Sequence, residues 1–261
     1  MRNISNKVIN YTKNRLEVIN FISKHKRILI PSFVILSYLF FYFFIDFSTQ
    51  SLVAHDEGLY ARRSRLIEES FNWFSSPFST PHHKTLGSYW FIALSIRLFG
   101  TNELALRLPS VISSFLCLFC TYFIALRSSN KKSAFISVFS LSSMPLWIQY
   151  SRYASPDIPF VLCILLVILF FQKFIDSKID RYKLFYIFIA GSFISISFFI
   201  RSYMLFVPLI GLTPFLAFHL FRSRNIYRLF FVIGLFLGSI PTFINLFYSY
   251  KKFGLSGILA L

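Results

Sequence analysis

The stretch IPFVLCILLVILFFQKF, residues 158–174, is continuously apolar apart from its last turn. It is long enough to cross the hydrocarbon core of a bilayer as one helix. The rest of the chain has the same character, since 56% of its 261 residues are hydrophobic and 36 are Phe. A water-soluble domain of this size cannot cover so many apolar side chains with its own surface. We therefore predict a polytopic α-helical membrane protein.

Other apolar segments of similar length predict an all-α fold with about seven transmembrane helices. The predicted spans are residues 28–47, 104–126, 133–150, 158–174, 184–200, 203–221 and 229–249. The first of them is longer than the apolar core of a signal peptide, about 7–15 residues, and no small-residue cleavage site follows it. We interpret it as an uncleaved first span.

Basic residues mark one side of the predicted bundle. Of the 27 Lys and Arg residues, 17 lie in four segments that hold only three of the ten acidic residues: 1–27, 127–132, 173–183 and 222–228. These segments alternate with the other loops, as the positive-inside rule requires of cytoplasmic segments. Residues 1–27 are therefore predicted to be a cytoplasmic basic segment. A nucleic-acid partner is not predicted, because no soluble basic patch with interleaved aromatic residues is present.

The segment between the first two spans, residues 48–103, is predicted to be one long extracytoplasmic loop. Its apolar stretch Tyr89–Phe99 is too short for a span and contains Arg97. Counting it as a span would break the charge alternation at every later loop. We therefore predict two interfacial helices in this loop, Glu57–Phe71 and Tyr89–Phe99.

Ionisable residues from separate loops are predicted to meet at the extracytoplasmic side. They are Asp56, Glu57, Lys84, Arg152, Asp157 and Arg201. Charges at membrane depth are costly, so they are candidates for function by default. Paired carboxylates can supply a general base and an orienting neighbour, while Lys and Arg can stabilise a phosphate. A polyprenyl-phosphate sugar that arrives in the lipid fits this set, although the residue types alone would equally suit an ion-coupled transporter.

Five motifs occur in the order found in one group of membrane enzymes. They are HDEGLYARRSRLIEES (55–70), HHKTLGSYW (82–90), LFGTNELALRLPS (98–110), RYASPDIP (152–159) and SFFIRSYMLFVPL (197–209). With them the chain resembles the aminoarabinose-transferase and protein-O-mannosyltransferase superfamily. The resemblance implies a glycosyltransferase of the GT-C fold that uses polyprenyl-phosphate sugars. Residues 28–261 would form its transmembrane module, C-terminally incomplete relative to the family.

The resemblance also implies a catalytic group and a phosphate-binding group. Asp56 matches the first-loop Asp that acts as base on the acceptor hydroxyl, Glu57 matches its acidic neighbour, and Asp157 matches the second Asp of the pattern. The implied donor-phosphate residues are Lys84, Arg201, Arg152 and Tyr60.

Some positions depart from the family pattern. Lys84 is followed by Thr85-Leu86 where Pro-Pro is usual, and His83 replaces a usual Glu. His82 and His83 could join Glu57 at a metal, but neighbouring loop histidines are more often solvated. The ligand set for a metal is therefore unknown, and a divalent ion beside the phosphate stays an open alternative with no cofactor assigned.

The predicted function is sugar transfer from a polyprenyl-phosphate donor to a lipid, glycan or protein acceptor. The site would lie at the outer face of a bacterial cytoplasmic membrane, with donor and membrane lipid as partners. Direct displacement at C1 by a hydroxyl that Asp56 deprotonates predicts an inverting hexosyl- or pentosyltransferase. The alternative is a truncated non-catalytic homologue or a transporter-like protein that binds polyprenyl lipid. Acids at span ends, rather than at broken helices in mid-span, favour the enzyme.

Overall fold

The structure, a computed structural model, describes residues 52, 56–79 and 84–259, without the side chain of Asp56. The described residues lie in one compact unit. Their α-helices are α1 (Asp56–Ser70), α2 (Gly87–Phe99), α3 (Glu103–Ser128), α4 (Lys131–Ser143), α5 (Pro145–Ser151), α6 (Asp157–Asp176), α7 (Asp180–Arg201), α8 (Phe206–Arg222), α9 (Asn225–Phe253) and α10 (Leu255–Leu259). A 3-10 helix, Ser202–Leu205, joins α7 to α8.

Four helical segments of the described chain are long and apolar enough to cross a membrane. They are Glu103–Ser128, Asp157–Asp176, Asp180–Arg222 and Asn225–Phe253. All of them coincide with predicted spans, and the predicted all-α polytopic membrane fold is confirmed. The predicted first span, 28–47, and the basic segment 1–27 lie outside the described residues. The total of about seven spans stays a prediction.

The predicted span 133–150 is not one continuous helix. The chain forms α4, passes through Met144 in an extended conformation with ψ of 126°, and then forms α5. Pro145 explains the break, because a proline disfavours helical geometry in the preceding residue and has no N–H to close the turn before it. The short helix α5 is thereby separated from α4 and contributes to the cavity described below.

The segment Asp180–Arg222 contains a chain reversal. Asp157 at the start of α6 pairs with Arg201 at the end of α7, so these two helices are antiparallel. Beyond the 3-10 helix, α8 returns along α6, because the ring of Phe171 lies 5.4 Å from Phe215 and 6.2 Å from His219. The segment therefore comprises two helices, at the positions of the predicted spans 184–200 and 203–221.

Ionic groups join neighbouring helices at one end of the described bundle. Arg127 of α3 donates to Asp176 of α6, with Nε 2.9 Å from the carboxylate oxygen. Asp180 of α7 accepts from the Tyr227 hydroxyl at 2.6 Å and from Arg224 at 3.1 Å. This end carries three of the segments predicted to be cytoplasmic, and the predicted site residues lie at the opposite end.

The two helices predicted for the long loop are present as α1 and α2, which pack together. Tyr89 of α2 is fully buried, and its hydroxyl accepts from Arg63 at 3.2 Å. Ser64 donates to the Tyr89 carbonyl at 3.2 Å, and the Tyr60 ring lies 5.5 Å away. Burial raises the pKa of the Tyr89 phenol, so the phenol stays neutral. The position of both helices at a membrane interface remains a prediction.

Glycines bring α7 and α9 into backbone contact. A Cβ atom at Gly234 would lie 2.1 Å from the Phe188 carbonyl oxygen, and one at Gly238 would lie 2.5 Å from the Ser192 carbonyl oxygen. From the other side, a Cβ at Gly191 would lie 2.4 Å from the Phe231 carbonyl oxygen. Small residues four apart allow such approach between helices in lipid, where van der Waals packing rather than apolar burial drives association. These glycines fix α9 against α7.

Replacing Gly234 by Ala is expected to destabilise the bundle, because the added methyl group must push α7 and α9 apart. A loss of about 1–3 kcal/mol is expected for such overpacking. The matched control is Gly211→Ala in α8, where a Cβ meets nothing within 4 Å. Thermal unfolding in detergent should show a lower midpoint for Gly234→Ala and an unchanged or higher one for Gly211→Ala. Equal midpoints would contradict the proposed packing.

Candidate active site

A cavity of about 560 Å³ lies at the end of the bundle where the predicted site residues gather. Its charged and polar lining comes from α1, the segment before α2, the start of α6 and the end of α7: Glu57, Tyr60, Lys84, Asp157 and Arg201. Its apolar and aromatic lining comes mainly from the end of α4, from α5 and from the turn that follows it: Leu141, Met144, Leu146, Trp147, Tyr150 and Tyr153. Five of the seven predicted site residues therefore line one cavity.

Glu57, in the first turn of α1, is fully buried and completely paired. Arg107 of α3 donates to both carboxylate oxygens of Glu57, with Nε 3.0 Å from Oε1 and Nη2 2.9 Å from Oε2. The backbone N–H of Ala154 donates to Oε1 at 2.9 Å. A buried charge is tolerated only with a partner of this quality. Glu57 thus ties the start of α1 to α3 and to the segment before α6, which is a positioning role.

Lys84 lies in the segment that precedes α2. Its ammonium donates to the Tyr60 hydroxyl at 2.8 Å and stands 4.4 Å from the centroid of the same ring. Tyr60 is buried and is held in place by α2. An ammonium carries three donors. The bond to the Tyr60 hydroxyl uses one of these donors, so Lys84 can also bind an anion in the cavity.

Asp157 and Arg201 form an ion pair at the edge of the cavity. Their side chains are 28% and 23% exposed, respectively. Asp157 is in the first turn of α6, where the helix dipole favours a negative charge, and Arg201 is in the last turn of α7, where it favours a positive one. A guanidinium has five donors, so Arg201 can hold Asp157 and a phosphate together.

A close contact between α2 and α7 brings the two cations into the same cavity. A Cβ atom at Gly87 would lie 2.3 Å from the Phe199 carbonyl oxygen, so only glycine fits at this position. Ser88 donates to the Ile200 carbonyl at 2.6 Å. Lys84 precedes this contact on one chain segment, and Arg201 follows it on the other. The packing of the two helix ends therefore sets the place of both charges.

The remaining predicted residues lie differently. Asp56 is the first residue of α1, and its side chain is outside the described part of the structure. Arg152 is half-buried in the turn after α5 but is not among the residues that line the cavity. His82 and His83 lie outside the described residues. Within the described ranges, no group of three or more His, Cys, Asp or Glu side chains could hold a metal ion.

The sequence reasoning missed three residues of this region, namely Arg107, Trp147 and Ser155. Arg107 has a signal in the sequence, because it is an arginine in the first turns of an otherwise apolar span, where charges are functional candidates. Trp147 and Ser155 have none, since their position in the cavity depends on how α5 and the following turn pack.

A helical membrane bundle with an ionic cavity at one end is the class that the fold and site define. The fold is similar to that of ArnT from Cupriavidus metallidurans. The crystal structure of that protein bound to undecaprenyl phosphate matches with a TM-score of 0.72 at 17% identity, over 90% of this chain and 44% of ArnT. Its apo structure matches with a TM-score of 0.64.

The family follows from the sequence comparisons. The sequence model of the dolichyl-phosphate-mannose-protein mannosyltransferase family matches residues 83–244, and the chain belongs to this family. The undecaprenyl phosphate-α-4-amino-4-deoxy-L-arabinose arabinosyl transferase of Shewanella sediminis is 26% identical over 192 residues, which are 72% of this chain and 34% of that protein. A transferase of the same name from Proteus mirabilis is 31% identical over 52% of this chain and 24% of its own length. The chain thus matches about a quarter to a third of the length of these relatives, and the predicted superfamily is confirmed.

Replacing Arg107 by Leu is expected to leave the Glu57 carboxylate buried without its partner. Such a loss costs about 3–5 kcal/mol, and the unfolding midpoint in detergent should fall markedly. Arg65→Ala is the control, since Arg65 and Glu69 form an exposed pair in α1, with side chains 60% and 52% exposed, and surface pairs contribute about 0–1 kcal/mol. Adding Glu57→Gln to Arg107→Leu should recover part of the loss. An Arg107→Leu variant as stable as wild type would show that the pair does not hold α1 in place.

Proposed function

We propose that this chain carries the donor-binding end of a membrane glycosyltransferase, which moves a sugar from a polyprenyl phosphate to a lipid, glycan or protein acceptor. The observation that carries the proposal is the shared cavity, in which Lys84 and Arg201 face the same space as Asp157. Membership of the family and the fold shared with a protein that binds undecaprenyl phosphate support it. The cavity lies at one end of helices long enough to span a membrane, so a lipid-borne donor can reach it.

In this proposal the two cations bind the donor phosphate. Lys84 and Arg201 are charged donors, and such hydrogen bonds to phosphate are about twice as strong as neutral ones. They also stabilise the charge that develops on the phosphate as the bond to the sugar breaks. Asp157 holds Arg201 through the ion pair and so orients its guanidinium toward the cavity.

Asp56 is proposed as the general base for the acceptor hydroxyl. It directly precedes Glu57 in α1, and the bonds that Glu57 accepts from Arg107 and the Ala154 N–H hold this part of α1 in place. The deprotonated hydroxyl attacks C1 while the phosphate leaves from the opposite face. One displacement of this kind inverts the anomeric centre. We place the reaction at the outer face of a bacterial cytoplasmic membrane, because the opposite end of the bundle carries the basic segments.

The proposal gives Lys84 a role in phosphate binding and Asp56 a role as the base, and substitutions can test these two roles separately. The affinity of the chain in lipid nanodiscs for undecaprenyl phosphate should fall about tenfold or more in Lys84→Ala, which loses a charge-assisted contact. Asp56→Asn should bind the lipid as wild type does. Arg65→Gln is the control, because it removes an exposed α1 charge that does not line the cavity.

Transfer is then followed with undecaprenyl phosphate that carries a labelled sugar, added to membranes containing the endogenous acceptors. Asp56→Asn should abolish labelling of the acceptor. Full transfer by Asp56→Asn would rule out the proposed base. A wild-type chain that binds the lipid but transfers no sugar would be a non-catalytic homologue.

The orientation can be tested with single cysteines. The native residues Cys117, Cys120 and Cys163 are first replaced by Ala. Ser79→Cys, at the site end of the bundle, should react with a membrane-impermeant maleimide added to intact cells. Ser129→Cys, at the opposite end and also exposed, should react only after the cells are lysed. The reverse pattern would place the cavity at the cytoplasmic face.

A further inference from the structure

The lining of the cavity is chemically divided. Its charges come from α1, the segment before α2, and the ends of α6 and α7, and the proposed function assigns them to phosphate and base chemistry. The lining from α5 and the following turn contains no charge that takes part in this chemistry. We call Trp147, Tyr150 and Tyr153 the aromatic wall. When the phosphate of the donor lies on these charges, the rest of the donor in the cavity must also contact this wall.

Two residues of the lining each carry a buried hydrogen-bonding group that has no partner within the described residues. The Trp147 Nε1–H and the Ser155 hydroxyl are both inaccessible atoms without a hydrogen bond. Trp147 is 8% exposed and Ser155 is 6% exposed, and both residues line the cavity. A buried polar group without a partner costs about 1–3 kcal/mol, and native proteins leave few of them. Such groups beside a cavity are typical of a polar ligand site.

The backbone around Ser155 is held independently of its hydroxyl. Ser110 of α3 donates to the Ser155 carbonyl at 3.1 Å. The neighbouring Ala154 N–H is bonded to Glu57, and the Ser155 N–H donates to the Tyr153 carbonyl at 2.9 Å. The backbone that carries the hydroxyl is therefore fixed, and the main-chain groups around it are engaged elsewhere. It does not serve to hold the turn together.

We propose that Trp147 and Ser155 bind the sugar of the donor and determine which sugar is accepted. This inference rests on the proposed function and adds that these residues recognise the sugar of the donor. An indole N–H is only a donor, so its ligand must present an acceptor such as a ring or hydroxyl oxygen. A serine hydroxyl both donates and accepts, which suits a sugar hydroxyl. The aromatic wall supplies an apolar surface for the carbon face of the ring.

The phosphate is the less suitable ligand for these two groups. Lys84 and Arg201 already offer charged donors at the other part of the lining, and charge-assisted bonds outcompete neutral ones for an anion. When the phosphate lies on the cations, the sugar attached to it extends toward the remaining lining. The neutral donors on α5 and the following turn then match the neutral part of the molecule.

The test compares lipids with and without the sugar. Undecaprenyl phosphate, undecaprenyl phosphate-4-amino-4-deoxy-L-arabinose and undecaprenyl phosphate-mannose are titrated into the purified chain in nanodiscs. Wild type should bind at least one sugar-bearing lipid more tightly than undecaprenyl phosphate itself. Trp147→Phe and Ser155→Ala should each reduce this preference about three- to tenfold, as expected for loss of one hydrogen bond. Their affinity for undecaprenyl phosphate should equal that of wild type.

Two control variants remove the same chemical groups outside the cavity. Trp90→Phe deletes an indole N–H that donates to the Trp73 carbonyl at 2.6 Å. Ser114→Ala deletes a buried hydroxyl that donates to the Val111 carbonyl at 2.8 Å. Both controls should keep the sugar preference of wild type, even where they lower thermal stability.

Each other outcome overturns the inference and separates it from the proposed function. If wild type binds undecaprenyl phosphate but prefers neither sugar-bearing lipid, the sugar site is wrong and the donor-phosphate site stands. If Trp147→Phe and Ser155→Ala lose affinity equally for all three lipids, these residues contact the phosphate or lipid instead. If wild type binds none of the lipids, the proposed function itself fails.

Discussion

The buried ion pair between Glu57 and Arg107 is the interaction on which the site depends. It joins residues that are 50 positions apart and adds the Ala154 amide as a third member. In a region of low dielectric such a pair must be complete, because a lone buried charge is far more costly than a satisfied one. The start of α1, the first turns of α3 and the segment before α6 are therefore held in one arrangement. Two of these segments, α1 and the segment before α6, line the cavity together with the end of α4, α5, the start of α6 and the end of α7.

A second constraint comes from close backbone contacts between helices. In lipid, apolar burial gives little driving force for helix association, so contact distance and packing matter more. Gly234 and Gly238 allow α9 to lie directly on α7, and Gly87 allows α2 to reach the end of α7. The last of these contacts determines the separation of Lys84 and Arg201. Packing between apolar helices thus sets the electrostatics of a polar site.

The proposed function assigns the donor side of the chemistry to the described residues. They provide two cations, Lys84 and Arg201, a helix start that is held through Glu57 and carries Asp56, and an aromatic wall beside two neutral hydrogen-bonding groups. The chain corresponds to 44% of the length of ArnT in the matching crystal structure.

The sequence by itself determined the class of fold and the end of the bundle at which the charges lie. Hydropathy, span length and the distribution of Lys and Arg are local properties, so they are readable from residues such as the 158–174 segment and Arg201. Pro145 was an equally local signal for the break after α4, although the apolar run around it concealed that break. Only the tertiary structure decided that Glu57 pairs with Arg107 and that Trp147 and Ser155 line the cavity. Those contacts depend on the rotation and depth at which helices pack, and apolar side chains of similar size specify these only when the whole bundle is assembled.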